Sequence, residues 1–247
     1  MKKSQKMLVY IFITIVLAFA LVGANIVDMY YNNYHIISTI VKLVAVGILS
    51  FYVIKARKQV ACAYATKYTF LALLPLVFSF VLYMGWPNQK EYMMIITSDI
   101  LSICLTAVVE ELFFRVFAVG LMSNNGEFSF SDALSITLVY SLSFAVNFFI
   151  YDYKFVIFSI VLGFAFGLFL LGTYLLTKNV FACILSHLSF FLVRWFFVTF
   201  SSSYMAIGNV LFLVIVLVFI AILTMLGMII CKKETSKKSN QQNNSLF

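Results

Sequence analysis

Long apolar runs separated by short polar breaks dominate the pattern of this chain. Eight runs can be drawn, at roughly 7–27, 36–54, 68–86, 92–122, 131–150, 155–176, 179–200 and 204–231. A helix needs about 20 apolar residues to cross the hydrocarbon core of a bilayer. Most of the runs have that length. The fourth is too long for a simple crossing, which places its start along the interface. Strands of a membrane barrel would instead alternate over about ten residues, and two prolines in 247 residues also favour helices. The predicted fold is all-α, a polytopic transmembrane helix bundle of about eight spans. Its organisation reads as N-terminal transmembrane helices over 1–91, core helices over 92–200, a C-terminal transmembrane helix over 201–231 and a polar tail over 232–247. The tail is rich in Lys, Ser, Asn and Gln and is expected to be disordered. No repeat of 20–50 residues is evident.

Composition sharpens this picture. The chain is 64% hydrophobic and 11% charged, whereas a soluble domain has roughly 45–50% apolar and about 25% charged residues. An ordinary water-soluble globule is excluded, and so is a disordered chain, which needs low hydrophobicity. The net charge of +8 does not imply nucleic acid, because the basic residues crowd the two ends and one loop. With the N-terminus inside, one side holds Lys2, Lys3, Lys6, Lys55, Arg57, Lys58, Lys67, Lys178, Lys232, Lys233, Lys237 and Lys238. The other side holds Lys90 and Lys154. This positive-inside asymmetry predicts two cytoplasmic termini and an even number of spans. The Lys/Asn-rich and Phe/Ile-rich composition points to a bacterial cytoplasmic membrane. Lys2, Lys3 and Lys6 precede an apolar run reaching Val27, too long for a signal-peptide core and without an A-x-A-like end, so it reads as the first span. Cys62, Cys104, Cys183 and Cys231 lie far apart with no C-x-x-C pattern, which gives no support to a disulfide framework or a cysteine zinc site.

Ionisable residues within spans carry the candidate chemistry, since each costs at least ~2.5–3.5 kcal/mol on insertion scales and normally faces a partner or a wet cavity. The fourth run contains Ala107-Val-Val-Glu-Glu-Leu-Phe-Phe-Arg115. On a helix Glu111 and Arg115 stand at i and i+4, in reach of an ion pair. Glu110 is rotated by about 100° and has no such partner in its own helix. One carboxylate is thus held while its neighbour is free to bind water; a buried packing pair explains Glu111 and Arg115 equally well. His187 sits in the seventh run, where a lone histidine also serves as a structural hydrogen-bonding group. Arg194 lies near the outer end of that run and reads as a snorkelling residue. His35 falls in a polar loop and reads as solvated. Asp99 shares a face with Glu110, which either a wet cavity or a partner helix would explain. Lys42 has Asp28 and Asp99 as candidate partners. Gly163, Gly167 and Gly172 form a small-residue pattern typical of close helix packing.

Glu110-Glu111-x-x-x-Arg115 inside an apolar span resembles the first motif of the CPBP family of intramembrane endopeptidases. That family includes the type II CAAX prenyl endopeptidases and the bacterial bacteriocin-processing and self-immunity (Abi) proteins. The similarity continues through Gly163-Phe-Ala-Phe-Gly167, Thr173-Tyr-Leu-Leu-Thr-Lys-Asn179 and Ala182-Cys-Ile-Leu-Ser-His187, and spans about residues 95–200. The resemblance implies that a glutamate activates water for peptide-bond hydrolysis while a later histidine stabilises the oxyanion. Glu110, Glu111, Arg115 and His187 carry over. Two positions depart. The family's second motif, F-x-x-x-H, falls on Phe144-Ala-Val-Asn-Phe148, and its last, H-x-x-x-N or H-x-x-x-D, on His187-Leu-Ser-Phe-Phe191. Asn147 neighbours the vacant second-motif position as an auxiliary amide, with Tyr140 one or two turns earlier on a similar face. No cofactor is expected. Zinc, an option within the family, needs three protein ligands, and the transferable set offers one histidine and two carboxylates.

Three functions follow as expectations. The first is an intramembrane endopeptidase acting on a peptide or small membrane-protein substrate in the lipid bilayer. The second is a catalytically degenerate relative that binds peptides or membrane proteins as a regulator or self-immunity protein. The third is a small transporter using Glu110, Glu111 and His187 as a proton relay, for which internal repetition is lacking.

Overall fold

In lipid every backbone N–H and C=O must be paired within its own segment, so apolar runs of this length wind into helices. The computed structural model describes residues 2–31, 36–55, 71, 74–75, 97–123, 128–200 and 210–244, and among them it contains helices and no strand. The main elements are α1 (Lys3–Tyr31), α2 (Ile36–Lys55), α3 (Thr97–Glu111), α4 (Ala118–Met122), α5 (Phe130–Ser143), α6 (Tyr153–Thr177), α7 (Val180–Phe200) and α8 (Val210–Asn244). Five helical stretches among the described residues are long and apolar enough to cross a membrane. The protein is a multi-pass helical membrane bundle. The third predicted span, 68–86, lies almost wholly outside the described residues, as do His35 and the side chains of Asp99 and Arg194.

Three local structures differ from the simple helices that hydropathy predicts. The fourth run is α3 followed by a π-helical turn, Leu112–Phe117, and then α4; the Ala118 N–H bonds back to Phe113 O. The wide turn gathers three phenylalanines, with buried Phe113 stacked on half-buried Phe117 at 5.3 Å and meeting buried Phe114 edge-on at 4.9 Å. Such bulges occur often at functional sites. The fifth run ends its α-helix at Ser143 and continues as a 3₁₀ helix, Phe144–Phe149. The tail expected to be disordered is helical to Asn244. Nothing in it stops the helix, because no glycine or proline follows Gly227 and Lys, Glu and Gln are good helix formers.

The core centres on α6, which is buried almost continuously from Gly163 to Leu175 and packs against α5, α7 and α8. A Cβ at Gly227 of α8 would fall 2.8 Å from the Leu168 and Phe169 backbone, so only glycine permits this approach. Polar ties fix the periphery. Lys3 pairs with Asp132 at 2.7 Å, and Lys6 Nζ donates to Ser123 O at 3.0 Å. These bonds hold the start of α1 against the segment leading into α5, whose own start is a reciprocal Ser129–Asp132 capping box. Asp28, buried near the end of α1, accepts from the Ile37 and Ser38 amides at 2.9 and 2.7 Å and so caps α2. α3 lies between α2 and α7, which sets where its glutamates can look.

Candidate functional site

Glu110 and Glu111 end α3 immediately before the π turn. Their azimuths on the helix send them to different surroundings. Glu111 is fully buried and meets Arg115, itself fully buried, with Nε 3.1 Å from Oε2. Arg115 Nη2 reaches Glu111 Oε1 at 3.5 Å. The shorter approach is off-line for a hydrogen bond, so it is an ion pair, and among the described residues Arg115 Nη1 has no hydrogen-bond partner. The guanidinium also lies over the Tyr140 ring, 5.1 Å from its centroid. This is the local pair that the i,i+4 spacing predicts.

Glu111 Oε1 makes a second contact, 2.8 Å from His187 Nδ1. The turn between α6 and α7 makes that contact attainable. Lys178 takes the left-handed conformation at φ 55°, and Asn179 Oδ1 then accepts from the Ala182 amide to start α7. His187 follows about two turns later, buried. Its ring is wedged between Phe166, edge-on at 5.2 Å, and Phe191, stacked at 4.5 Å. With Nδ1 on Glu111, Nε2 turns towards Glu110 Oε2 at 3.7 Å. The imidazole therefore bridges the two glutamates.

Glu110 is 13% exposed where Glu111 is 0%. Tyr140 of α5 donates its hydroxyl proton to Glu110 Oε2 at 3.0 Å. Gly167 makes room for this tyrosine, since a Cβ there would fall 2.5 Å from Tyr140 Cδ1. Glu110, Tyr140 and His187 line a cavity of about 570 Å³ whose other polar wall residues include Asn25, Lys42, Ser143 and Asn147. A hydrogen-bonded carboxylate on the wall of a largely apolar cavity can bind and activate a water, and the polar wall groups can hold an amide substrate.

The structure thus brings Glu110, Glu111, Arg115 and His187 into one cluster and sets Asn147 on the same cavity. Phe148 does not line that cavity and is 48% exposed. The 3₁₀ winding explains this, because residues three apart share a face in such a helix, so Asn147 follows Phe144 onto the cavity wall. Sequence reasoning marked Tyr140 only as a companion of Asn147 and left Lys42 between two acidic partners. Among the described residues Lys42 bonds Ser102, its Nζ 2.5 Å from Oγ; its other candidate partner, the side chain of Asp99, lies outside them. The signal available for Lys42 was its charge within an apolar run.

Residues 93–193 match the family model described as type II CAAX prenyl endopeptidase Rce1-like, and this segment carries a domain of that family. It contains the first-motif glutamates, Arg115, Tyr140, Asn147 and His187. No curated protein and no solved structure matches the chain.

Proposed function

We propose that this chain, with its Rce1-like domain, is an intramembrane endopeptidase that hydrolyses peptide bonds of small hydrophobic, lipidated or leader peptides. The carrying observation is the division of labour between adjacent glutamates: Glu111 is tied to Arg115 and His187, while Glu110 faces the cavity, held by Tyr140. Glu110 acts as general base on water, a role worth about 10²–10⁴ in rate. The resulting hydroxide attacks the scissile carbonyl, and Glu110 passes the proton to the leaving amine. His187 Nε2 stabilises the oxyanion. Because Nδ1 is engaged by Glu111, donation from Nε2 requires the doubly protonated ring. Asn147 supplies an auxiliary amide on the cavity wall. Glu111 and Arg115 are positioning residues in this scheme.

The donor set does not fit a catalytic zinc. Glu111 is committed to Arg115 and His187, which leaves one carboxylate and one imidazole nitrogen where three protein ligands are needed. Among the described residues no third His, Cys, Asp or Glu joins them. The charge asymmetry of the loops supports two cytoplasmic termini, and the Lys/Asn-rich, Phe/Ile-rich composition supports a bacterial cytoplasmic membrane.

The test compares membrane and secreted peptidomes from cells carrying the wild type or an equally expressed Glu110→Ala variant. A peptide terminus formed only by the wild type is the expected result; identical peptidomes sink the reading. Phe191 favours a second reading, because it stacks on His187 at the position where the resembled motif has Asn or Asp. In that case the protein binds peptides without cutting them, and both Glu110→Ala and His187→Ala spare its phenotype.

A further inference from the structure

The cavity beside Glu110 belongs to one end of the bundle, and the helix ends say which. The Lys3–Asp132 pair puts the start of α1 beside the start of α5, while Asp28 on the Ile37 and Ser38 amides puts the end of α1 beside the start of α2. Ser141 Oγ donates to Ile160 O at 2.8 Å across the short turn from α5 into α6, so α6 starts where α1 finishes. α8 runs alongside α6 in the same direction, with Gly227 against Leu168 and Ile230 against Gly172. One end of the bundle therefore collects Lys2, Lys3, Lys6, Lys55 and Lys178 with the four lysines of the tail. Outside the spans, the other end carries Lys154 among the described residues. By the positive-inside rule the lysine-rich end is cytoplasmic.

The cavity wall lies on the lysine-poor side. From α1 it takes Ala18 to Asn25, in the half that ends at Tyr31. At 1.5 Å per residue Asn25 is about 9 Å of helix from Tyr31 and about 33 Å from Lys3. From α6 it takes Phe155 to Phe166, no deeper than the middle of the helix that starts at Tyr153. Tyr151, in the turn between α5 and α6, also lines it and is 52% exposed, which sets the mouth at that end. Exposed Tyr30, Tyr31 and Tyr153 surround that level, as aromatic belts do where a bilayer meets water. The other half is packed. Tyr10, Phe113, Phe114, Phe128 and Tyr174 are all buried there, and Tyr10 donates its hydroxyl proton to Ile136 O at 3.3 Å.

We infer that Glu110 and His187 are reached from the extracytoplasmic side, so that the substrates are peptides already carried across the membrane or the outward-facing ends of membrane proteins. A peptide on the cytoplasmic face would have to pass the packed aromatic layer to meet Glu110. The side of access stands on the cavity wall and the lysines; the substrate class rests on the endopeptidase reading and deepens it.

The test places single cysteines in the full chain in bacterial cells, with the parent chain and its own four cysteines as background. Asn25→Cys and Ser159→Cys probe the cavity wall, and exposed Lys154→Cys and Lys233→Cys mark the two ends. A membrane-impermeant sulfonated maleimide is applied to protoplasts or to inside-out vesicles. Labelling is scored as loss of the gel shift that a polyethylene-glycol maleimide gives after solubilisation in SDS. Asn25→Cys, Ser159→Cys and Lys154→Cys are expected to lose the shift in protoplasts, and Lys233→Cys only in inside-out vesicles. Val22→Cys carries the α1 comparison should Asn25→Cys fail to accumulate. Cavity cysteines labelled only in inside-out vesicles, from both sides or from neither overturn the inference, and so does labelling of Lys233→Cys in protoplasts. The peptidome comparison with Glu110→Ala separates the two claims. Termini formed only by the wild type are expected in exported peptides or extracytoplasmic segments. Labelling from outside without any such terminus fails only the endopeptidase reading, and termini confined to cytoplasmic segments fail the inference.

Discussion

Glu110 and Glu111 are neighbours in sequence and chemically identical, yet they occupy opposite environments. Glu111 is sealed in the bundle with a guanidinium on one side and an imidazole on the other. Glu110, about 100° around the same helix, opens onto a cavity and is held by a neutral tyrosine hydroxyl. In a membrane bundle the azimuth of a residue decides its chemistry. A carboxylate pointing into dry packing requires a cation, and the pair then becomes structure. A carboxylate pointing into a cavity keeps an oxygen for water.

The largest expected effect tests the dry side. Glu111→Leu leaves Arg115 buried without its counter-charge and should destabilise the protein by about 3–5 kcal/mol, read by thermal or denaturant unfolding in detergent. Glu110→Gln should cost about 1 kcal/mol or less. Equal losses for the two would erase the contrast. Adding Arg115→Met to Glu111→Leu should recover most of the stability, since an apolar replacement of a buried pair is often neutral. Peptide processing should stay low in that double variant, because His187 no longer has the carboxylate that orients it.

A smaller effect tests the wet side. Tyr140→Phe removes the hydrogen bond to Glu110 but keeps the ring against Arg115 and Phe114. A hydrogen bond to a charged group contributes about 1.5–3 kcal/mol to stability, so unfolding should weaken by up to that amount, while kcat/KM should fall about 10–100-fold because the general base is no longer held. Loss of stability with unchanged turnover would assign Tyr140 to packing instead. The smallest effect is expected from Phe148→His, which writes the histidine of the resembled motif into its linear position. The side chain there is half-exposed and away from the cavity, so stability and processing should move by no more than about 0.5 kcal/mol. A marked gain in processing would mean that position 148 reaches the site.

Much of the site was legible in the chain because its strongest feature is local. Glu111 and Arg115 sit on one stretch of helix, and their spacing alone predicts their meeting. The asymmetry of Glu110 was legible for the same reason. What Glu110 faces was not, because Tyr140 comes from α5 and His187 from α7, and no local spacing relates them. The second motif shows the limit most plainly. A continuous helix over 131–150 leaves open which of Asn147 and Phe148 turns inward, and the change from α to 3₁₀ winding at Ser143 sets Asn147 on the cavity wall. The tail failed in the other direction. Polar composition predicts disorder, but with no glycine or proline after Gly227 to stop it α8 extends to Asn244.

By itself the sequence determined that this is a helical membrane protein, that one of its buried carboxylates is neutralised by Arg115, and which residues resemble a protease motif. Bilayer thickness, backbone pairing in lipid and helical periodicity act along the chain and need no knowledge of what lies across from it. Only the tertiary structure decided that His187 bridges the two glutamates, that Tyr140 holds Glu110, and that Lys42 from an unrelated helix lines the same cavity. Those contacts depend on how helices rotate and how closely they approach. That is settled by the glycines that let α5 and α8 close on α6, and by the π and 3₁₀ turns that reset the faces of two helices.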